Sequence, residues 1–251
     1  MTAVPGRRHD QREDAARALA GLVARLGLSG QAALRLTALL EILTEDPHAP
    51  TTVRAPLNAV RHHLADSLVA LELPEVRRAR RVADLGSGPG VPGLPLAIAL
   101  ADAEVALVES NGRKCEFLRR ACGVCGATNA EVVQARAEDC PDWIGRCDLA
   151  VARALAPLSV VAEYAAPLLC MGGALVVWRG RRDPEEEARA GRAAGELGLE
   201  VLDPVPVAPY PDALHRHLHV MVKRSATPSR FPRRPGVARK RPLGAGRPRS
   251  V

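Results

Sequence analysis

Residues 81–94 read RVADLGSGPGVPGL: a short apolar run closes on Asp84, and four glycines with two prolines follow within eight residues. Glycine tolerates positive φ and lets a ligand come close to the main chain, so a glycine cluster directly after a strand marks a place where something is held against the backbone. The spacing narrows what that is. A phosphate loop of the GxxxxGK type needs a lysine, and none lies between Arg81 and Asn111. A dinucleotide fingerprint, GxGxxG, would need glycine at position 91, where the chain has Val91. Asp84 followed by Gly86, Gly88 and Gly90 fits D-x-G-x-G-x-G instead, a pattern of S-adenosylmethionine sites in which no pyrophosphate has to be accommodated. A glycine-rich turn that binds nothing is the competing reading.

From Arg81 onward, short β-rich runs alternate with longer helical ones. Strands are read at 82–85, 105–108, 132–134, 149–152, 174–178, 201–207 and 217–222, and helices at 91–101, 113–123, 158–170 and 184–197. Repeated βα units imply a Rossmann-like α/β domain over 76–224, with a mainly parallel seven-stranded sheet and helices on both faces. The proline-rich loop 208–212 has no room for a helix, so the last two strands should pair antiparallel. Upstream, apolar residues at three- and four-residue spacing over 13–43, interrupted at 27–30, and again over 58–73, predict a helical N-terminal region, 1–75.

Ligands of an open α/β sheet sit beyond the carboxyl ends of its strands. Asp84 ends the first strand and supports the glycine loop. Glu109 ends the second, where a carboxylate accepts hydrogen bonds from ribose hydroxyls, and Glu138 with Asp139 follows the third, beside the expected adenine position. A single acid at such a place is more often a helix cap. Three successive strand ends carrying the expected group read together as a nucleoside site.

Composition excludes several classes. Hydrophobic residues make up 47% of the 251, enough for a large core, yet no apolar stretch approaches the roughly 20 residues of a membrane span. The polar start, MTAVPGRRHDQRED, is not signal-like, so a cytoplasmic protein is expected. Aromatic residues are 2%, which argues against base stacking on an aromatic platform. Cys122 and Cys125 form a CxxC without a second pair, and His215, His217 and His219 share a strand face without a completing carboxylate or thiol, so no metal is expected. The formal net charge is +7, and the stretch from Lys223 to Val251 alone supplies ten Lys or Arg and no acid. Its prolines and few apolar residues predict a disordered basic tail, 225–251, which is either a solvated extension or a phosphate-binding arm whose Arg230, Arg233, Arg234, Arg239, Lys240 and Arg241 meet RNA phosphates.

Four stretches carry a resemblance: VADLGSGPGVPGLPLAIAL (82–100), ALVESNGRKCEFL (106–118), QARAED (134–139) and VARALAPL (151–158). Over roughly residues 45–242 the chain resembles the RsmG (GidB) family of ribosomal RNA methyltransferases. The double-proline continuation of the glycine loop is the most specific element, and His63-Leu64-Ala65-Asp66-Ser67 matches the family's H-x-x-D-S. The sequence departs from the family at Thr44-Glu45, Ala49-Pro50 and His62. The resemblance implies methyl transfer from S-adenosylmethionine to N7 of guanine 527 in 16S rRNA, with naked rRNA or the 30S subunit as partner. By motif it carries donor binding to Gly86 and Val91 of the loop, to Ala137 with Glu138, and to Arg153.

The residue types agree with that acceptor. An exocyclic amine normally calls for a polar-Pro-Pro-aromatic turn after the fourth strand, where this chain has Ala152-Arg153-Ala154-Leu155-Ala156-Pro157. Cytosine C-methylation needs a cysteine nucleophile, and the candidate, Cys140-Pro141, lies after the third strand. Guanine N7 has a free lone pair, so no general base is expected, and alignment of donor and acceptor is the main task. Arg153 is suited to hold the donor's carboxylate or an RNA phosphate.

Overall fold

A computed structural model describes residues 5–245. Two amphipathic helices open the chain, α1 (Pro5–Leu26) and α2 (Gly30–Glu45), the second started by the Ser29 hydroxyl, which accepts from Ala32 N at 3.1 Å. The stretch expected as one helix over 58–73 is broken into short pieces. They are α3 (Pro56–Ala59), a π-helical turn (Val60–Ala65), α4 (Asp66–Leu68), a 3-10 turn (Val69–Glu72) and α5 (Pro74–Arg77).

The sheet then forms in βα alternation: β1 (Arg81–Leu85), α6 (Gly93–Ala99), β2 (Glu104–Glu109), α7 (Gly112–Cys125), β3 (Ala130–Gln134), β4 (Cys147–Arg153), α8 (Leu158–Ala165), β5 (Leu169–Arg179) and α9 (Pro184–Leu197). Three more strands follow, β6 (Leu199–Val201), β7 (Val205–Pro206) and β8 (His217–Lys223). Their order is β3-β2-β1-β4-β5-β8-β6, with β7 also paired to β8. β1 to β5 run parallel and β8 lies antiparallel to β5.

The fold is the expected Rossmann-like one, with eight strands rather than seven. The run read as one strand over 201–207 is interrupted at Pro204, which has no amide hydrogen to donate, and β6 and β7 pair separately with β8. The helix read over 158–170 stops at Ala165, because Pro167 cannot continue the ladder and β5 begins at Leu169.

Strand alternation divides the core. Val82, Leu107, Val151 and Val176 face a cluster shared with α1, α2, α6 and α7, while Ala83, Val108, Ala152 and Val177 face a second cluster shared with α8 and α9. The N-terminal helices therefore share one core with the sheet. Phe231 and Ala238 are buried in the second cluster, so the segment expected as a disordered tail is packed on the domain as far as residue 245; residues 246–251 lie outside the described residues. It includes a short helical turn, α10 (Val237–Lys240).

Candidate active site

The loop between β1 and α6 is folded around its own hydrogen bonds. Gly86 N and Ser87 N both donate to the Val108 carbonyl, at 2.8 and 3.1 Å, tying the loop to the end of β2. Asp84 is buried, and its Oδ2 accepts from Gly93 N at 3.1 Å, which fixes the start of α6. A Cβ on Gly93 would stand 2.5 Å from that oxygen, so only glycine allows the clamp. Burial pushes the Asp84 carboxyl up to about 7.

Glu109 holds the other side. Its Oε2 accepts from Gly88 N at 3.1 Å and its Oε1 from Asn111 N at 2.9 Å, so one carboxylate orders both the glycine loop and the entry to α7. A carboxylate has about four lone-pair sites, and two are left for a ligand. Gly86 takes φ +72°, and a Cβ there would stand 2.6 Å from Leu155 Cδ1, which reaches over it from the loop after β4. Both the φ and the Leu155 contact restrict this position to glycine.

These residues surround a cavity of about 370 Å³ lined by Gly86, Glu109, Ala137, Glu138, Leu155 and Tyr164, among others. The sequence had grouped Gly86, Glu109, Ala137 and Glu138, and the structure brings all four together. Gly88 lies just behind, bonded to Glu109. Val91 is buried in the core and lines none of the described cavities. Arg153 is turned away: its Nη1 donates to Asp66 Oδ2 and to the His62 carbonyl, both at 2.8 Å, and it lines a neighbouring cavity.

Sequence reasoning missed the roof. Gly236 and Arg239 from the C-terminal segment line the same cavity. Gly236 N donates to Glu138 Oε1 at 2.7 Å, and Arg239 Nη2 donates to the Leu155 carbonyl at 3.0 Å. Arg230 pairs with Glu196 at 2.7 Å, and Arg233 holds the buried Glu163. Arg234, Lys240 and Arg241 are the tail cations left exposed without a side-chain partner among the described residues. Two signals for this were present: Phe231, one of two phenylalanines in the chain, and Glu163, an acid inside the apolar run LSVVAEYA.

A larger cavity of about 650 Å³ runs along edge strand β3 to Trp143 and Arg146. It lies off the glycine loop and holds none of the groups just described.

All six cysteines are free thiols. Cys140 donates to the Arg136 carbonyl, and burial pushes it up to about 11, so it is a thiol at neutral pH. Among the described residues no group of three or more His, Cys, Asp or Glu is placed to hold a metal ion, and no helix is long and apolar enough to cross a membrane.

A sequence model described as "rRNA small subunit methyltransferase G" matches residues 36–206. The chain belongs to that family. It is 42% identical over 200 residues to the ribosomal RNA small subunit methyltransferase G of Rubrobacter xylanophilus, covering 77% of this chain and 76% of the relative. The Deinococcus deserti protein of the same name is 38% identical, covering 87% and 92%. Among solved structures, a SAM-dependent methyltransferase from Aquifex aeolicus superposes with a TM-score of 0.52 at 19% identity, covering 65% of this chain and 93% of that one. That likeness is one of fold.

Proposed function

We propose that the protein transfers the methyl group of S-adenosylmethionine to N7 of a guanine in 16S rRNA, guanine 527 by family resemblance, acting on the rRNA or the 30S subunit. The observation that carries this reading is the strand-end cavity, where Gly86, Glu109 and Glu138 meet beneath a loop that presents neither a thiolate nor a general base. When bound there, S-adenosylmethionine supplies an electrophilic methyl group on a sulfonium.

The chain's own residues then have a positioning task. The Gly86 backbone accommodates the donor against the end of β1, Glu109 accepts from the ribose hydroxyls, and Ala137 with Glu138 flanks the adenine. Asp84 and Gly88 hold the loop in shape. Guanine N7 attacks with its own lone pair, so no residue has to remove a proton, and rate comes from alignment. The exposed tail cations Arg234, Lys240 and Arg241, together with Arg230, Arg233 and Arg239, extend a basic surface from the site for RNA phosphates.

The test is incubation of 30S particles and naked 16S rRNA with methyl-labelled donor, followed by mapping of the labelled nucleotide. Label at a guanine, released as 7-methylguanine, is the expected result. Label on another atom or on protein would remove this reading.

A further inference from the structure

Beyond the donor cavity lies a second one, of about 520 Å³. The two meet at Ala154, which lines both and takes φ 54°, a conformation that residues with a Cβ seldom adopt. The walls differ in charge. The second cavity carries Arg153, Arg179, Arg181 and Arg216 against a single carboxylate, Asp66. Glu186 neutralises Arg179 and Asp66 neutralises Arg153, which among the described residues leaves Arg181 free and Arg216 held only loosely, by Tyr210 Oη at 3.3 Å and Asp66 Oδ1 at 3.8 Å.

Unmet hydrogen-bonding capacity is concentrated here. Four buried side-chain polar atoms lack a partner among the described residues, and two of them, His63 Nδ1 and Arg216 Nε, belong to this wall. A buried donor without an acceptor is costly, so each calls for an explanation. Asp66 Oδ1 lies 3.8 Å from Arg216 Nε, beyond hydrogen-bond length, and an acceptor thus stands beside a donor with neither satisfying the other. The π-helical turn over Val60–Ala65 supports this arrangement, since it frees the His62 carbonyl to accept from Arg153 and so fixes Asp66.

We propose that this cavity receives the acceptor guanine, extruded from the RNA, and that Asp66 and Arg216 read its Watson–Crick edge. The assignment rests on the methyltransferase reading above. Asp66 accepts from guanine N1–H and the 2-amino group, and Arg216 donates to O6. Adenine offers neither N1–H nor a 2-amino group and would set a lone pair against the carboxylate. A guanine gripped by that edge has N7 on its opposite side, where it faces the donor cavity across Ala154.

In the step itself a bond forms between N7 and the methyl carbon as the sulfur–carbon bond breaks. The positive charge of the sulfonium passes to the base, and no proton is released. As charge grows on the ring, N1–H becomes more acidic and its bond to Asp66 strengthens, so the contact stabilises the transition state more than the bound substrate.

The test compares wild type with Arg216→Gln, a partly exposed position, on 30S particles and 16S rRNA. The variant should lose about tenfold or more in kcat/KM while its calorimetric Kd for S-adenosylhomocysteine stays within about twofold. Unchanged kcat/KM beside an active wild type overturns the cavity assignment and leaves the methyltransferase reading standing; an inactive wild type overturns both. A second measurement does not depend on turnover. RNA carrying 6-thioguanine at the target position is photo-crosslinked in the presence of S-adenosylhomocysteine. Adducts within 51–66, 178–181 or 207–217 support the assignment, and adducts confined to other segments sink it.

Discussion

Glu163, 2% exposed on α8, is gripped by the guanidinium of Arg233 through two parallel hydrogen bonds, one of them 2.5 Å long. The two residues are 70 apart in sequence, and their pairing turns a basic tail into part of the roof of the cavity proposed for the donor. Arg230 and Arg233 both stack near the Phe231 ring, at 4.9 and 5.9 Å from its centroid, which reinforces the anchor.

Removing Arg233 strands a buried carboxylate. Arg233→Ala should destabilise the protein by about 3 kcal/mol, and adding Glu163→Gln to it should recover a good part of the loss. Urea unfolding of the three proteins gives the comparison; equal midpoints for wild type and Arg233→Ala would show the pair to be energetically idle.

Deleting residues 225–251 removes Gly236 and Arg239 from the cavity wall. The shortened protein should bind S-adenosylhomocysteine about tenfold or more weakly, because Glu138 loses a hydrogen bond and the cavity opens to water. Calorimetry decides this, and undiminished affinity would mean that the segment matters for RNA alone. Binding titrations at several salt concentrations separate the two roles: loss of phosphate contacts flattens the salt dependence of RNA binding.

A side chain at Gly86 meets two obstacles, the positive φ and Leu155. Gly86→Val should show no calorimetric donor binding and lose about 1–3 kcal/mol of stability. Wild-type affinity in a folded variant would put the donor elsewhere.

Burial disfavours the charge of Asp84 and pushes its carboxyl from an ordinary 3.8 up to about 7 in the folded state. Between those values the native state holds a proton that the unfolded chain has released, so this group's contribution to stability is full below about pH 4 and declines as pH rises to about 7. His63, held down to about 4 by burial and by Arg153, works in the opposite direction below its ordinary value of 6.5. The two effects are separated by Asp84→Asn, which keeps an acceptor for Gly93 N. Wild-type stability minus that of the variant should fall between pH 4 and 7, and a flat difference would mean that Asp84 is ionised throughout.

Cys140→Ala and Cys122→Ala should retain most methylation, since burial holds both thiols up to about 11 and neither lines the donor cavity. A covalent RNA adduct that disappears in either variant would restore a thiol mechanism.

The βα alternation, the glycine loop and the acids at the ends of β1 and β2 were legible in the sequence because each depends on neighbours a few residues away. Strand and helix periods differ locally, and a positive-φ loop announces itself by glycine. Pro204 and Pro167 could have placed the split strand and the short α8 by the same kind of rule. The rest required contacts between distant segments. The basic run after Lys223 has the composition of a solvated tail, and what folds it is a buried acid on α8 and a hydrophobic pocket for Phe231, neither of which its own residues specify. Arg153 closes β4, where the family motif puts it, yet its direction is set by Asp66 and the His62 carbonyl, 87 and 91 residues earlier, at a turn whose π geometry no local pattern announced. Charge and hydrogen-bonding capacity are written in the chain; which charge meets which is decided when the sheet brings the strand ends together.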